Sequence, residues 1–153
     1  MEVFRITLKK WSAKLVASGF AARWNSNGIG VIYAAQSRSL ACLENLVHRS
    51  GFGLNGDFAT IIIIIPKSVS IEYLKIETLP QGWNQFDERA HLLCRSFGDS
   101  WIQSQTSCVL VVPSAIISGE FNVLINPNHK DFSKISIKSI ESFIFDDRLQ
   151  MKS

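Results

Sequence analysis

Ala59-Thr60-Ile61-Ile62-Ile63-Ile64-Ile65-Pro66 is the longest apolar run in the chain, and its reading decides the fold class. Branching at Cβ stiffens each isoleucine and suits it to a pleated sheet better than to a helix. An unbroken apolar run, rather than an alternating one, belongs to a strand covered on both faces, here over residues 58–66. Proline closes it, because it has no N–H to give to a ladder. The run is far too short to span a bilayer, which takes about 20 residues. A strand covered on both faces needs a sheet with packed material above and below. A chain of 153 residues is long enough for one such core and too short for two comfortable domains.

Outward from this strand, the pattern predicts further strands over 3–8, 30–34, 70–76, 108–112, 122–125 and 135–145. Between the first two lies irregular chain with turn chemistry at Ser18-Gly19 and Asn25-Ser26-Asn27-Gly28. Residues 37–49 predict a helix with Leu40, Leu43 and Val47 on one face and Glu44 at its margin. A second helix is predicted over 86–105, interrupted near Gly98. The result is a strand-rich α+β domain with no internal repeat and no linker.

Composition narrows the function classes. Hydrophobic residues make up 46% and charged residues 19%, which is globular rather than disordered. The net charge of +3 comes from scattered Lys and Arg, a solvated surface rather than a nucleic-acid patch. Met1-Glu2-Val3-Phe4-Arg5 lacks a charged region followed by an apolar stretch, which predicts no signal peptide and no membrane association. Cys42, Cys94 and Cys108 are odd in number, widely spaced and without a CxxC pair, which points to a reducing cytoplasm rather than a disulfide scaffold or zinc site. His48, His91 and His129 have no ligand spacing, so no metal is expected. None of GxGxxG, GxxxxGK[ST], HExxH or GxSxG occurs.

What remains is a set of short strings in fixed order. They are Phe4-Arg5-Ile6, Arg23-Trp24-Asn25-Ser26-x-Gly28, Val31-Ile32-Tyr33-Ala34-Ala35, and Ser39-Leu40-Ala41-Cys42-Leu43-Glu44-Asn45-Leu46-Val47-His48. Then follow Leu79-Pro80-x-Gly82-Trp83, Gly98-Asp99-x-Trp101, Val112-Pro113-Ser114-Ala115, Asn122-x-Leu124-Ile125-Asn126-Pro127-x-His129, and Phe143-x-Phe145-Asp146-x-Arg148-Leu149. The series resembles the RES-domain family, named for an arginine, a glutamate and a serine, here Arg23, Glu44 and Ser114. The resemblance covers essentially the whole chain, 1–153, as one domain. One departure is Ala21-Ala22, where the family carries two glycines.

The resemblance implies an ADP-ribosyltransferase-like fold, with two small, mostly antiparallel sheets, flanking helices and NAD⁺ in the cleft between the sheets. It implies a toxin of a type II toxin–antitoxin pair, whose partner is an Xre-type helix-turn-helix antitoxin. The implied activity is cleavage of the nicotinamide–ribose bond of NAD⁺, as a glycohydrolase or phosphorylase. NAD⁺ is consumed as substrate, and no cofactor is needed. A second reading is a mono-ADP-ribosyltransferase that modifies a protein. A third is a catalytically silent binding module that keeps the strings as structure.

On that resemblance, Arg5 and Arg23 each offer a planar fork to pyrophosphate or ribose oxygens. Tyr33 stacks on nicotinamide and hydrogen-bonds through its hydroxyl. Glu44 holds a ribose hydroxyl and stabilises charge developing at the anomeric carbon. Ser114 and Asn126 orient the carboxamide or ribose. Plain structural readings stand beside these. Arg5 can pair with a surface carboxylate, Tyr33 can pack half-buried, Glu44 can pair with His48 or Arg49, and Ser114 can serve a turn. Trp24, Trp83 and Trp101 are expected to anchor irregular connections, and His48 to tune Glu44 without being catalytic.

Overall fold

The computed structural model describes residues 1–48 and 56–149. Its elements are β1 (Glu2–Leu8), β2 (Ile32–Ala35), α1 (Arg38–His48), β3 (Phe58–Ile64), β4 (Ile71–Tyr73), α2 (Glu88–Ser104), β5 (Val109–Pro113), β6 (Phe121–Ile125) and β7 (Ser136–Phe143). The isoleucine run forms β3 and the residue beyond it, with Ile61, Ile62, Ile63 and Ile65 all buried. The strands form a single seven-stranded sheet in the order β4-β5-β6-β2-β1-β3-β7. Only β4 and β5 run parallel; the other pairings are antiparallel.

The expectation of two sheets is therefore corrected to one, but the sheet is nearly divided. β1 pairs with β3 along its whole length, from Glu2 opposite Ile64 to Leu8 opposite Phe58. Against β2 it pairs at Phe4 and Ala35 alone. Beyond that pair the strands separate, and the Ile6 carbonyl accepts a hydrogen bond of 2.8 Å from Asn45 Nδ2 on α1. Local patterning cannot count sheets, because that number depends on which distant strands meet.

Strand alternation sorts the core. One face of the sheet carries Val3, Ile32, Ala34, Ile61, Ile63, Val109, Val111, Val123 and Ile125 in one cluster. On the other, Leu110, Val112 and Leu124 pack with Trp24, Trp83, Cys94 and Trp101, while Ile6, Ala35 and Phe58 pack with Leu40, Ala41 and Phe145. The tryptophans anchor irregular chain as expected. On α1 the buried residues are Leu40 and Ala41, whereas Val47 is 46% exposed, so the face predicted from Leu40, Leu43 and Val47 is rotated. The predicted helix end at Arg49, and any Glu44–Arg49 pair, lie outside the described residues.

The helix α2 runs unbroken through Gly98, contrary to the expected interruption. Its N-cap Asp87 accepts from the Ala90 N–H at 2.7 Å, and Gln105 closes it in the left-handed region at φ 53°. Gly98 is there for proximity. A Cβ at this position would stand 1.7 Å from the Trp24 carbonyl oxygen, so only glycine lets the helix lie on the 20–31 segment. One residue on, Asp99 accepts from the Ser26 N–H at 2.9 Å and from Ser26 Oγ at 2.5 Å.

Asn25 closes that segment from within. It is 1% exposed, and its Nδ2 donates to the carbonyls of Phe20, Ser26 and Ile29. Its Oδ1 accepts from the Tyr33 hydroxyl at 2.6 Å, while the same hydroxyl accepts from the Trp24 N–H at 3.1 Å. Positive φ falls at Gly19 and Gly28; Ala21 and Ala22 need none, and the loop closes without the family's glycines. No described helix is long and apolar enough to cross a membrane.

Two stability predictions come from this packing. Gly98→Ala will cost about 3 kcal/mol in urea unfolding, the upper end for overpacking, because the obstructing atom is backbone. An unchanged midpoint would mean that α2 is free to slide. Tyr33→Phe strands the Asn25 oxygen and the Trp24 N–H, and will cost about 1–3 kcal/mol. A phenylalanine variant as stable as the parent would show that the hydroxyl does not hold the loop.

Candidate active site

The gap between β1 and β2 is a cavity of about 610 Å³, lined by β1 from Phe4 to Thr7, by Tyr33 to Ala35, and by Glu44, Asn45, His48 and Asn122. A smaller lobe of about 180 Å³ adjoins it, between Ala21 to Trp24, Phe86, His91, Arg95 and Ile116. Tyr33, Glu44, His48 and Asn122 line both lobes, so Glu44 stands where the two meet. The larger lobe falls in the range of about 300–1,000 Å³ usual for small-molecule sites.

Glu44 is held asymmetrically. Its Oε1 accepts a short hydrogen bond from Asn122 Nδ2 and a longer one of 3.4 Å from Ser114 Oγ. Its Oε2 lies 3.5 Å from His48 Nε2, one helical turn away. Burial pushes the Glu44 carboxyl up, but the His48, Asn122 and Ser114 hydrogen bonds and the His48 charge outweigh it. The carboxyl ends below its ordinary value. The group is a carboxylate at neutral pH, with Oε1 held by Asn122 and Ser114 and Oε2 beside His48, which lines both lobes.

Ser114 acts behind Glu44 rather than on a ligand. It is 5% exposed, lines neither lobe, and its Oγ also accepts from the Ile116 and Ile117 N–H groups at 3.1 Å each. The turn reading holds, and in place of the expected contact with carboxamide or ribose the hydroxyl that closes the turn after β5 steadies the Glu44 carboxylate.

Arg5 carries a partly buried guanidinium into the larger lobe. Its one hydrogen bond among the described residues is from Nη1 to the Val16 carbonyl, 3.1 Å, and none of the described carboxylates pairs with it. Burial pulls its pKa down, yet guanidinium stays charged. No carboxylate among the described residues supports the surface-pair alternative for Arg5, and a partly buried cation lines the cavity.

Arg23 is placed differently from the expected ligand fork. It lines the smaller lobe, but Nη1 donates to the Trp83 carbonyl at 2.8 Å, and both Nη1 and Nη2 reach the Gln85 carbonyl, at 3.3 and 3.2 Å. Its fork holds the chain that leads into α2. Tyr33 presents its ring to both lobes while its hydroxyl is fully engaged by Asn25 and Trp24, which leaves it no free donor for nicotinamide. Burial also pushes the phenol far up, so it stays protonated.

Asn126 is not brought to the site. Asn122 is the second residue of β6 and Asn126 follows its last, so they lie at opposite ends of the strand, and Asn126 lines neither lobe. It is fully buried, its Oδ1 accepts from the Asn128 N–H at 2.9 Å, and its Nδ2 has no partner among the described residues. Sequence reasoning missed Asn122, though the signal was present: a lone amide in an apolar strand, whose register sets it opposite Ala35 and Val112. Arg95 was also missed; its Nε donates to the Ala22 carbonyl at 3.0 Å and its Nη1 pairs with Glu88.

Comparison with known proteins bears on the family and the fold. The RES domain family model matches residues 2–146. A protein from Sphingobium sp. strain YBL2 named "Prs ADP-ribosylating toxin" is 40% identical over 133 residues, covering 86% of this chain and 81% of its own. A "Toxin Res" from Photorhabdus laumondii is 39% identical over 159 residues, covering 97% of each chain. Among solved structures, the M. tuberculosis MbcT–MbcA toxin–antitoxin complex contains a chain that superposes with a TM-score of 0.77 at 15% identity, over 94% of this chain and 84% of that one. That likeness concerns the fold. Fold, ordered strings, family model and relatives point the same way: the chain belongs to the RES domain family.

Proposed function

We propose that this chain is the toxin of a toxin–antitoxin pair and cleaves the bond between nicotinamide and ribose in NAD⁺. The observation that carries the reading is the Glu44 carboxyl at the junction of the two lobes, held by Asn122, Ser114 and His48, with Arg5 in the larger lobe and paired with no carboxylate among the described residues. The relatives named as toxins support the cellular role, and the proposed partner is an Xre-type antitoxin.

As the C1′–N bond breaks, its electron pair goes to the nicotinamide nitrogen and neutralises the ring, while positive charge builds on the ribose. Nicotinamide needs no acid to leave, so one carboxylate suffices. Glu44 Oε2 stabilises the oxocarbenium-like ribose and holds a ribose hydroxyl. Asn122 and Ser114 fix the other oxygen, so that the carboxylate need not reorganise. Arg5 takes the pyrophosphate, and Arg23 shapes the smaller lobe through residues 83–85. The acceptor's oxygen closes on C1′ and its proton passes to solvent; water gives ADP-ribose, and inorganic phosphate gives its phosphorylated form. Transfer to a protein is the second reading, favoured by the relative named as an ADP-ribosylating toxin.

Incubation of purified protein with NAD⁺, with and without phosphate, separates these readings. Nicotinamide released in either condition supports cleavage, and Glu44→Gln will lower that rate at least a hundredfold, in line with losing one charge-stabilising group. NAD⁺ that survives both conditions, together with a radiolabelled protein in a cell extract, moves the reading to transfer. Survival with no labelled protein refutes both.

The pH profile gives an independent check. A carboxyl lowered by folding adds stability above its unfolded pKa, about 4.3, and loses it as pH falls through the lower folded value. Cleavage will accordingly hold down to about pH 5 and decline only below the ordinary carboxylate range. His48→Ala removes a hydrogen bond and a charge from Glu44 and will move that decline to higher pH. An unmoved acid limb would remove His48 from the site.

A further inference from the structure

Phe20 is 75% exposed yet sits on one of the best-tethered parts of the 12–31 segment. Its N–H donates to Ser18 Oγ at 3.3 Å, and its carbonyl accepts from Asn25 Nδ2 at 2.9 Å. Beside it, the Gly28 N–H donates to the Gly19 carbonyl at 2.8 Å, closing the turn. A large apolar ring held out in water on a fixed backbone contributes little to folding. It is preorganised to receive a flat partner at low entropic cost.

Phe20 and Ser18 line the larger lobe together with Arg5, and Arg5 is tied through Val16 to the same segment. An aromatic face and an unpaired guanidinium thus share one lobe, the pair of features that a base linked to a pyrophosphate requires. The smaller lobe, at about 180 Å³, has room for a single ring but not for a nucleoside diphosphate. Phe86, 87% exposed at that lobe, already packs edge-on against His91 at 5.7 Å.

We infer that Phe20 is the stacking platform for the adenine of the dinucleotide. The ADP portion then occupies the larger lobe and nicotinamide the smaller, with the scissile ribose at Glu44. This inference rests on the proposed NAD⁺ reading and fixes the direction in which the substrate lies. Phe20 is a specificity residue, selecting a purine dinucleotide over nicotinamide mononucleotide.

Calorimetric titration of the full chain with ADP-ribose and, separately, ribose 5-phosphate tests it. Phe20→Ala will weaken ADP-ribose binding about tenfold, as loss of one stacked base does, and Phe20→Trp will retain it. Phe20→Leu, apolar but not aromatic, will behave like alanine, while ribose 5-phosphate will bind all four proteins alike. Equal ADP-ribose affinity in parent and alanine variant overturns the assignment. So does a parallel loss for ribose 5-phosphate, which would mean that the lobe has merely changed shape. A parent that binds ADP-ribose through Phe20 but leaves NAD⁺ uncut removes the cleavage reading and keeps this one.

Discussion

The single pairing of Phe4 with Ala35 is the constraint on which the rest of the molecule depends. A strand pair that continued past it would seal the sheet and leave no cavity. Because β1 keeps its full ladder with β3, and β2 its ladder with β6, the sheet survives as one body while opening at its middle. Arg5 and Tyr33 reach the gap from its two banks, and Glu44 reaches it from the helix that begins three residues after β2. The short connection from β2 to α1 is what brings a carboxylate to the seam.

A gap in a sheet must be stabilised by something other than its ladder. Here the 12–31 segment does so, and buried Asn25 organises it through hydrogen bonds to Phe20, Ser26, Ile29 and Tyr33. Gly98 and Asp99 bring α2 against the same segment, and Arg23 and Arg95 fasten it at the smaller lobe. These are fixed, low-entropy contacts, so the residues that line the cleft are largely preorganised. Side chains expected to touch substrate, Arg23 and the Tyr33 hydroxyl, instead hold the walls.

Much of this was legible in the sequence, and what was not has identifiable causes. The isoleucine run announced a doubly covered strand because composition alone specifies that environment. The ordered strings placed Arg5, Tyr33 and Glu44 in one site, and the structure brings those three together. The number of sheets was hidden, since it turns on non-local pairing. Gly98 read as a helix interruption because glycine's helix penalty is visible in sequence, whereas the Trp24 carbonyl above it is not. Asn126, just past the strand predicted over 122–125, was expected in the site rather than Asn122 at its start; only the register of β6 tells which end meets Glu44. Arg23 offered a fork, and two backbone carbonyls claimed it.

The claim that the seam is the reaction site is tested most directly by a crystal structure of the Glu44→Gln variant with NAD⁺ bound. The dinucleotide should lie across the gap between β1 and β2, with the C1′ of its nicotinamide ribose against residue 44 and its pyrophosphate on Arg5. NAD⁺ seated elsewhere, or seated in the gap with that carbon remote from residue 44, would contradict it.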